Sequence, residues 1–401
     1  MSTKQARLGD VVSFIRGITF KPEDVCEPGT NNSVVCMRTK NIQSDLDESD
    51  LIAVDAAFVK REEQRLATGD ILLSSANSWN LVGKSVYVPP LPYAATAGGF
   101  ISIVRADQSK VDARYLYHWI STEKTQAAIR NCGRQTTNIS NLSSRLFLEL
   151  PLPLPSVTEQ KRIAAILDKA DSLRRKRRQA IRLADDFLRA VFLDMFGDPV
   201  ANPKGWPVVK LSDLAKKDRY AIKAGPFGSA LKKEFYVASG YRVYGQEQVI
   251  RDDLTYGDYY IDANKYRELE SCKVEAGDML ISLVGTFGKI CIVPKEFEPG
   301  IINPRLMKIG LDSRKATPRF MKAFLTSDSM MRTIEGLSHG GTMGIVNVGI
   351  MKNLDVPLPP LDLQLRYENV QKKISVLSCK LDASVAQTSS AFGALQARFF
   401  S

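Results

Sequence analysis

Two kinds of hydrophobic pattern alternate along the chain. Short apolar runs interrupted by Gly, Pro and Asn, such as residues 70–74 and 100–104, are typical of strands in mixed α/β domains. Elsewhere, apolar residues recur every three or four positions over long stretches, which is typical of helices. The patterns therefore predict two mixed α/β domains, residues 1–155 and 199–358, and two long helical segments, residues 156–198 and 359–401. One shorter helix is predicted late in each domain, near residues 113–131 and 318–335.

The first long helix is predicted to begin at the capping-box pattern Ser156-Val-Thr-Glu159 and to end at Gly197. Its apolar positions are Ile163, Ile166, Ala170, Leu173, Ala180, Ala184, Phe187, Val191 and Met195. In the second helix, apolar residues alternate steps of four and three at Val370, Ile374, Leu377 and Leu381, and Leu395 and Phe399 fall on the same grid. A 3.5-residue period is typical of a coiled-coil seam, so we expect the two helices to pair. The predicted fold class is α+β, with two mixed α/β domains in tandem repeat and two long coiled-coil helices.

The two halves of the chain repeat each other in sequence. Gly69-Asp-Ile-Leu-Leu-Ser74 recurs as Gly277-Asp-Met-Leu-Ile-Ser282, and Leu152-Pro-Leu-Pro155 recurs as Val356-Pro-Leu-Pro359. Further matches between these two pairs keep the same order. A colinear series of this kind indicates an internal duplication.

Composition narrows the classes of function. The 401 residues include 55 Lys and Arg against 44 Asp and Glu, a net charge of +11, which favours a polyanionic partner. A hydrophobic content of 44% excludes bulk disorder. The sequence contains neither a secretory signal nor an apolar run of about 18 residues, so we expect a cytoplasmic protein without membrane association. The six cysteines are scattered and the histidines are two, which argues against a metal site and for reduced thiols.

Catalytic motifs are missing from the sequence. Gly83-Lys84-Ser85 resembles the end of a P-loop, but Ser78 stands where the first glycine is required. Glu159-Gln160-Lys161 resembles the end of a nuclease motif without a second acidic residue to share a metal. We therefore expect no catalytic residue, metal ligand or cofactor-binding residue in this chain.

Loops in both domains instead interleave basic, amide and aromatic side chains, which are the types that contact phosphates and base edges of DNA. Turn chemistry alone also accounts for any single one of these residues. The candidates in the first domain are Arg16, Lys21, Arg38, Lys40, Asn41, Asn77, Trp79, Asn80, Lys84, Arg134, Gln135, Thr136 and Asn138. Those in the second are Lys223, Ser229, Lys232, Lys233, Tyr244, Gln246, Gln248, Thr286, Lys289, His339 and Thr342.

The candidate loops align between the repeats while their residues differ. Arg38-Thr-Lys-Asn41, for example, corresponds to Gly245-Gln-Glu-Gln248. Two domains that read different DNA sequences need this combination of a common frame and different side chains.

The densest charge run, Arg174-Arg-Lys-Arg-Arg178, lies inside the first long helix. Four interpretations remain open for it: a solvated helix face, a phosphate contact, a docking surface for an acidic partner, and a nuclear localisation signal.

With these residues in view, the chain resembles the specificity subunit of type I restriction-modification systems over essentially its whole length. The most specific marks are Pro151-Leu-Pro-Leu-Pro155 with Glu159-Gln-Lys-Arg-Ile163, and Met195-Phe-Gly-Asp-Pro199 with Asn202-Pro-Lys-Gly-Trp206. At the second helix, Val356-Pro-Leu-Pro-Pro360 is present, but only Gln364 and Arg366 of the Glu-Gln-Lys-Arg-Ile motif are kept.

The resemblance implies two target-recognition domains at opposite ends of an antiparallel pair of spacer helices, each reading one half of a bipartite double-stranded DNA target. It implies as partners two modification (adenine methyltransferase) subunits, and restriction subunits that carry the endonuclease and translocase. S-adenosylmethionine, ATP and magnesium would then be bound by these partners. The sequence leaves open three alternatives: a stand-alone enzyme, a coiled-coil protein scaffold without DNA reading, and a subunit serving methylation alone.

Overall fold

A computed structural model describes residues 5–135, 139–283, 288–338 and 347–400. The strands of the first domain are β1 (Gln5–Arg7), β2 (Val12–Arg16), β3 (Val25–Cys26), β4 (Ser33–Met37), β5 (Ile52–Asp55), β6 (Ile71–Ser74), β7 (Ala76–Asn77), β8 (Ser85–Tyr87), β9 (Ala95–Ala97), β10 (Ile101–Ala106), β11 (Gly133–Gln135), β12 (Ser140–Leu142) and β13 (Pro151–Pro153). Its helices are α1 (Ala113–Ile120), α2 (Glu123–Asn131) and α3 (Ser144–Leu148), and the long helix α4 (Val157–Phe196) follows.

The second domain repeats most of this order and has two additional short helices, α5 (Gln246–Arg251) and α6 (Ala263–Glu268), among its strands. Its strands are β14 (Val208–Lys210), β15 (Ile222–Ala224), β16 (Tyr236–Val237), β17 (Tyr241–Tyr244), β18 (Tyr260–Ile261), β19 (Met279–Ser282), β20 (Ile290–Ile292), β21 (Gly300–Ile302), β22 (Leu306–Ile309) and β23 (Asp355–Pro357). Its other helices are α7 (Pro318–Leu325), α8 (Asp328–Ser338) and α9 (Val348–Lys352), and the chain continues into α10 (Leu361–Phe400). Short 3₁₀ turns lie in the connections at Leu8–Asp10, Pro22–Asp24, Thr39–Asn41, Ala56–Phe58, Glu62–Gln64, Leu211–Leu214, Gly228–Ala230, Lys233–Phe235 and Glu270–Cys272.

The sheet topology confirms the duplication. An antiparallel sheet has the order β2-β10-β6-β8 in the first domain and β15-β22-β19-β20 in the second. A second sheet has the order β3-β5-β4-β9 and then β16-β18-β17-β21, and its last pair of strands is parallel in both copies. The two-stranded pairs β1-β13 and β14-β23 also correspond. The sheet β11-β12-β7 occurs in the first domain, and the described residues of the second domain contain no counterpart of it.

The repeated Gly-Asp motif has a structural role. Gly69 and Gly277 have positive φ angles of 96° and 82°, which other residues adopt at a cost. The buried carboxylates of Asp70 and Asp278 then accept backbone hydrogen bonds from the residues three positions earlier, at 2.7 and 2.9 Å. Each also pairs with a cation, Arg105 in the first domain at 2.7 Å and Lys216 in the second at 3.2 Å. The motif thus fixes the turn that leads into the buried strand β6 or β19.

The long helices pair antiparallel, as expected. Arg174 of α4 lies 4.6 Å from the ring of Phe392, and Arg177 donates a 3.2 Å hydrogen bond to the carbonyl of Ser384. The residue number increases along α4 while the number of the contacted residue decreases along α10, so the two helices run in opposite directions.

The predicted seam of these helices is only partly right. The buried or half-buried positions of α10 alternate steps of three and four along Gln364, Tyr367, Gln371, Ile374, Ser378, Leu381, Val385, Thr388, Phe392, Leu395 and Phe399. Leu377 is exposed, and so are Leu173 and Phe187 of α4, although all three were predicted for the apolar faces. Small hydroxyl residues can occupy a seam because their hydroxyl bonds to their own helix: Thr388 Oγ1 donates to the Ser384 carbonyl at 2.7 Å. Apolar spacing therefore predicts the period of the α10 seam and its positions Ile374, Leu381, Leu395 and Phe399, but it misses the polar seam positions such as Ser378.

Two helix predictions need correction. The single helices expected near 113–131 and 318–335 are pairs. Helix α1 ends at Ile120 and Thr122 caps α2, while Thr326-Ser327 separates α7 from α8. At the start of α4, the Ser156 hydroxyl accepts a 3.3 Å hydrogen bond from the Glu159 backbone. The Glu159 carboxylate, however, binds the Arg162 side chain at 2.7 Å. Only half of the expected capping box is therefore formed by these side chains.

The chain divides into two compact units, Met1–Arg178 with Ala383–Ser401, and Gln179–Asp382. In each unit the domain shares a hydrophobic core with both long helices. Leu167 of α4 and Phe400 of α10 belong to the core of the first unit, and Tyr115 stacks on Phe400 at 5.2 Å. In the second unit, Phe192 of α4 and Tyr367 of α10 pack together at 5.6 Å.

Candidate nucleic-acid interface

In the first domain, backbone hydrogen bonds bring the candidate loops to one end of the sheets. The N–H of Gly17 donates to the carbonyl of Ile101 at 3.0 Å, the counterpart of the bond from Gly225 to Leu306 in the second domain. The N–H of Ile18 donates to Ala97 at 2.7 Å, and the N–H of Gly98 donates to Met37 at 2.9 Å. The N–H of Ser75 donates to the carbonyl of Phe100, also at 2.9 Å. The loops after β2, β4 and β6 are therefore all held against the turn that precedes β10.

The second domain holds its loops by corresponding bonds. Gly225 donates to Leu306 at 2.9 Å, Asn303 donates to Tyr244 at 2.8 Å, and Leu283 donates to Arg305 at 3.0 Å. We call these two loop clusters the first and second loop ends: residues 17–21, 38–43, 75–84, 98–100, 133–135 and 139–141 in the first domain, and residues 225–233, 245–248, 283, 288–289 and 303–305 in the second.

Most described candidates at these loop ends reach solvent. The exposed candidates are Arg16, Lys21, Lys40, Trp79, Asn80, Arg134, Ser229, Lys232, Lys233 and Lys289. The half-buried candidates are Arg38, Asn77, Lys84, Lys223 and Gln246. Thr136, Asn138, Thr286, His339 and Thr342, and the side chain of Gln135, lie outside the described residues.

Three candidates are buried and act within the fold. The Asn41 amide accepts from the backbone of Arg38 at 2.7 Å and donates to the carbonyl of Asp47 at 2.7 Å. Gln248, its counterpart, accepts from Gly245 at 3.0 Å, and the Tyr244 hydroxyl donates to the carbonyl of Glu298 at 2.6 Å. Because buried polar groups need these internal partners, we remove Asn41, Tyr244 and Gln248 from the candidate base-reading residues.

Several candidates at the loop ends form side-chain contacts that hold their own loop or join it to a neighbouring element. Arg38 donates to the side chain and the carbonyl of Asp50, both at 2.9 Å, and Lys40 forms an ion pair with the same carboxylate. Lys84 donates to the Gln43 amide at 2.6 Å, and Gln246 donates to Ser282 at 2.7 Å. These contacts preorganise the loop ends, which lowers the entropic cost of binding a ligand there.

The charge run in α4 is mostly committed to internal contacts. Asp171 accepts hydrogen bonds of 2.5 Å from both Arg174 and Arg175, and Arg175 also pairs with Asp45 of the loop after β4. Burial lowers the pKa of Arg175. Lys176 and Arg178 are exposed. The run therefore ties the long helix to the first loop end more than it presents a solvated face.

A second cluster of charged residues joins the first domain to α4. Asp168 accepts hydrogen bonds from Arg114 Nε at 2.9 Å and lies 2.7 Å from His118 Nε2. Partial burial by itself would raise the pKa of Asp168, but the hydrogen bonds to His118 and Arg114 outweigh it, so the pKa is lowered. His118 is buried and packs edge-on against Phe392 at 6.2 Å. All of its described contacts are structural.

Several features argue against catalysis at the described residues. The N–H of Gly83 is used by the carbonyl of Ser74 at 2.9 Å, so the Gly83-Lys84-Ser85 turn offers no open phosphate cradle there. Burial is the main cause that raises the pKa of the Cys36 and Cys291 thiols to about 12, so neither is a reactive thiolate. Within the described ranges, no three His, Cys, Asp or Glu side chains are grouped so as to hold a metal ion. A search of the same residues finds no helix with the length and hydrophobicity needed to span a membrane.

Sequence reasoning missed two aromatic residues at the loop ends. Phe227 and Phe100 are the most exposed large hydrophobic side chains of the described residues, at 81% and 64%. Arg305 takes the place of Phe100 in the second domain, because Ser75 and Leu283 bond to the carbonyls of Phe100 and Arg305 in the same way. An aromatic residue after two glycines, as in Gly98-Gly99-Phe100, is the signal that could have identified the first one.

Comparison with known proteins decides between the classes that remain. The family model described as the type I restriction modification DNA specificity domain matches residues 2–183 and 203–379, one match for each repeat. The chain belongs to the type I restriction-modification DNA specificity family.

Individual relatives agree with the family. The type I restriction enzyme StySPI specificity subunit of Salmonella potsdam is 25% identical over 90% of this chain and 79% of its own length. The EcoKI specificity subunit of Escherichia coli K12 is likewise 25% identical, again over 90% and 79%. The S subunit of a type I restriction-modification system from M. genitalium has the same fold, with a TM-score of 0.59 at 14% identity over 100% of this chain and 96% of that one.

The protein is therefore a type I restriction-modification specificity subunit. The comparisons support neither the protein scaffold nor the subunit that serves methylation alone.

Proposed function

We propose that this specificity subunit makes a type I complex bind one bipartite DNA sequence, and that each recognition domain reads one half of it. The first loop end would contact one half-site and the second loop end the other. The paired helices would set the length of the unread gap between the half-sites. If each domain reads its own half-site, the internal duplication is explained. The two copies share a backbone framework, but their exposed side chains differ.

One observation supports this proposal most directly. The backbone bonds that hold the two loop ends correspond, yet the side chains that they carry differ: Phe100 in the first copy corresponds to Arg305 in the second, and Thr39 to Gln246. Arg, Lys, Asn and Gln side chains discriminate bases when they reach base edges, and the same side chains give affinity without sequence information when they contact phosphates. Two domains that share a backbone framework and differ in their side chains can recognise two different half-sites.

We assign the chemistry of the complex to its partners. Two modification subunits would bind S-adenosylmethionine and methylate adenines, while restriction subunits would use ATP and magnesium for translocation and cleavage. The specificity subunit would contribute no catalytic group and would act on DNA in the cytoplasm, as part of host defence.

Selection from a random double-stranded DNA library tests the proposal. The subunit is purified together with its methyltransferase subunits, and the bound duplexes are sequenced. We expect two conserved blocks separated by a gap of fixed length and free sequence. Sequence-independent binding, or a single continuous block, would contradict bipartite reading.

Individual base contacts can be tested in the same selection. Arg134 is exposed on β11 at the first loop end. Arg134→Ala should relax the preference at one or two positions of one half-site by about 1–3 kcal/mol and leave the other half-site unchanged. Arg145→Ala, on α3 of the same domain, serves as a charge-matched control.

A further inference from the structure

Phe100 and Phe227 lie on turns that are held in place by the backbone. The carbonyl of Phe100 accepts hydrogen bonds from Ser75 and Ala76, at 2.9 and 3.2 Å, so the turn is fixed against β7. Phe227 is the N-cap residue of the 3₁₀ turn Gly228–Ala230, and its carbonyl accepts from Ala230 at 3.1 Å. Each ring is therefore presented to solvent by an ordered turn.

The other described phenylalanine side chains of the two domains are buried or half-buried, although the ring of Tyr259 is also 52% exposed. Phe147, Phe320 and Phe324 are fully buried. A phenylalanine left in water contributes little to the stability of the fold, because its ring is not removed from solvent. A single exposed ring is common, so the residues around these two rings decide whether they contact another molecule.

Charge at the two loop ends favours DNA as that molecule. Exposed Trp79, Asn80 and Arg134 share the first loop end with Phe100. Exposed Lys232, Lys233 and Arg305 share the second with Phe227. Apolar rings among cations and amides match a nucleic-acid surface, where the cations contact phosphates and the rings stack on bases.

We infer that Phe100 and Phe227 are wedges that enter the DNA between adjacent base pairs, one ring in each half-site. This inference rests on the proposed function. Inserting a ring unstacks one base step at a cost that depends on the sequence, so each wedge would also add specificity at a step without a hydrogen bond to a base. The partners' target adenines have to leave the stack to be methylated, and a step loosened nearby lowers the cost of that movement.

The experiment uses the assembled complex and the duplex obtained from the selection described above. 2-Aminopurine replaces the adenine of each A·T pair in turn, and pyrrolocytosine replaces the cytosine of each G·C pair. The fluorescence of both rises when they are unstacked, so every step is covered. For the wild-type complex we expect one bright step in each half-site that does not depend on S-adenosylmethionine. Phe100→Ala should abolish the bright step in one half-site, Phe227→Ala should abolish the one in the other, and each should weaken binding roughly tenfold.

Two further variants separate the wedge from other causes. Phe100→Leu keeps an apolar wedge and should retain the bright step. Leu146→Ala removes a side chain of α3 that is also exposed, at 47%, and should change nothing.

Three outcomes would overturn the inference. In the first, the wild-type complex shows no bright step beyond the methylated adenines; in the second, the alanine variants keep it. In the third, they weaken assembly with the methyltransferase subunits while base preference and fluorescence persist, which would make the rings protein contacts. All three leave bipartite reading intact, whereas a wild-type complex without sequence preference would refute the proposed function itself.

Discussion

The side-chain carbonyl of Gln160 accepts a 2.8 Å hydrogen bond from the backbone N–H of Asp112. Asp112 is the N-cap residue of α1, and Gln160 is fully buried in the first turn of α4. The Gln160 amide also donates to the carbonyls of Lys110 and Pro155, at 3.1 and 2.9 Å. One side chain thus fastens the recognition domain to its spacer helix with three hydrogen bonds.

The second copy repeats this fastening bond for bond. Gln364 accepts from the N–H of Thr317, the N-cap residue of α7, at 2.9 Å, and donates to the carbonyls of Lys315 and Pro359 at 3.2 and 2.9 Å. This contact explains why Gln364 persists where most of the Glu-Gln-Lys-Arg-Ile motif is lost: its side chain is buried, while Leu365 and Arg366 beside it are exposed.

Gln160→Ala should therefore loosen the first domain alone. It leaves one N–H and two carbonyls without a partner in a buried place, so we expect a loss of stability of about 2–4 kcal/mol. Hydrogen exchange should rise in the peptide over α1 and remain unchanged in the peptide over α7, and Gln364→Ala should do the reverse. Gln179→Ala, at an exposed position of α4, is the control. Unchanged exchange over α1 in Gln160→Ala would show that the contact is dispensable.

Asp168 should make the first unit sensitive to acid. Its pKa is lowered in the folded protein, so the unfolded chain binds the proton more readily, and stability is lost as the pH falls below about 4. Asp168→Asn should cost about 1–2 kcal/mol at neutral pH, because the charge-assisted bonds to Arg114 and His118 are partly exposed to solvent. In a plot of melting temperature against pH, the acid limb, which is the fall in melting temperature at acidic pH, should be less steep for Asp168→Asn than for the wild type. Asp186→Asn, exposed on the same helix, should leave that limb unchanged.

Lys232 and Lys233 are proposed phosphate contacts of the second loop end. Replacing both by Ala should lower the slope of log affinity against log salt by about two, since each contact contributes about 0.9. Affinity should fall to a similar extent on specific and on random DNA. Lys372→Ala with Lys373→Ala, on exposed positions of α10, is the matched control. A loss confined to the specific sequence would instead identify the two lysines as base readers.

Much of the architecture could be predicted from the sequence, because it depends on local patterns. The repeated Gly-Asp motif, the repeated Pro-Leu-Pro and the 3.5-residue period led to the duplication and to both long helices. The candidate loops also lie together, because each follows a strand of the same sheets.

The roles of single polar residues could not be predicted in this way. Asn41 and Gln248 look like base readers in the sequence, yet both cap a turn from within the fold. Arg174 and Arg175 look solvated, yet both bind Asp171. Whether a polar side chain is free to contact DNA depends on which groups the fold places next to it. Residue spacing along the chain does not predict those neighbours. The exposed Leu377 shows the same limit for apolar residues.

The proposed function requires that the paired helices set the distance between the two readers, and lengthening both helices tests this requirement most directly. Arg177 and Ser384 mark one level of the pair, so 21 residues are inserted after Arg178 and another 21 before Ala383. Three heptads preserve the seam and add about 32 Å, close to one turn of DNA. DNA selection with the assembled complex should return both original half-sites with a gap longer by about nine or ten base pairs. An unchanged gap, or the loss of either half-site while the complex still assembles, would contradict the account.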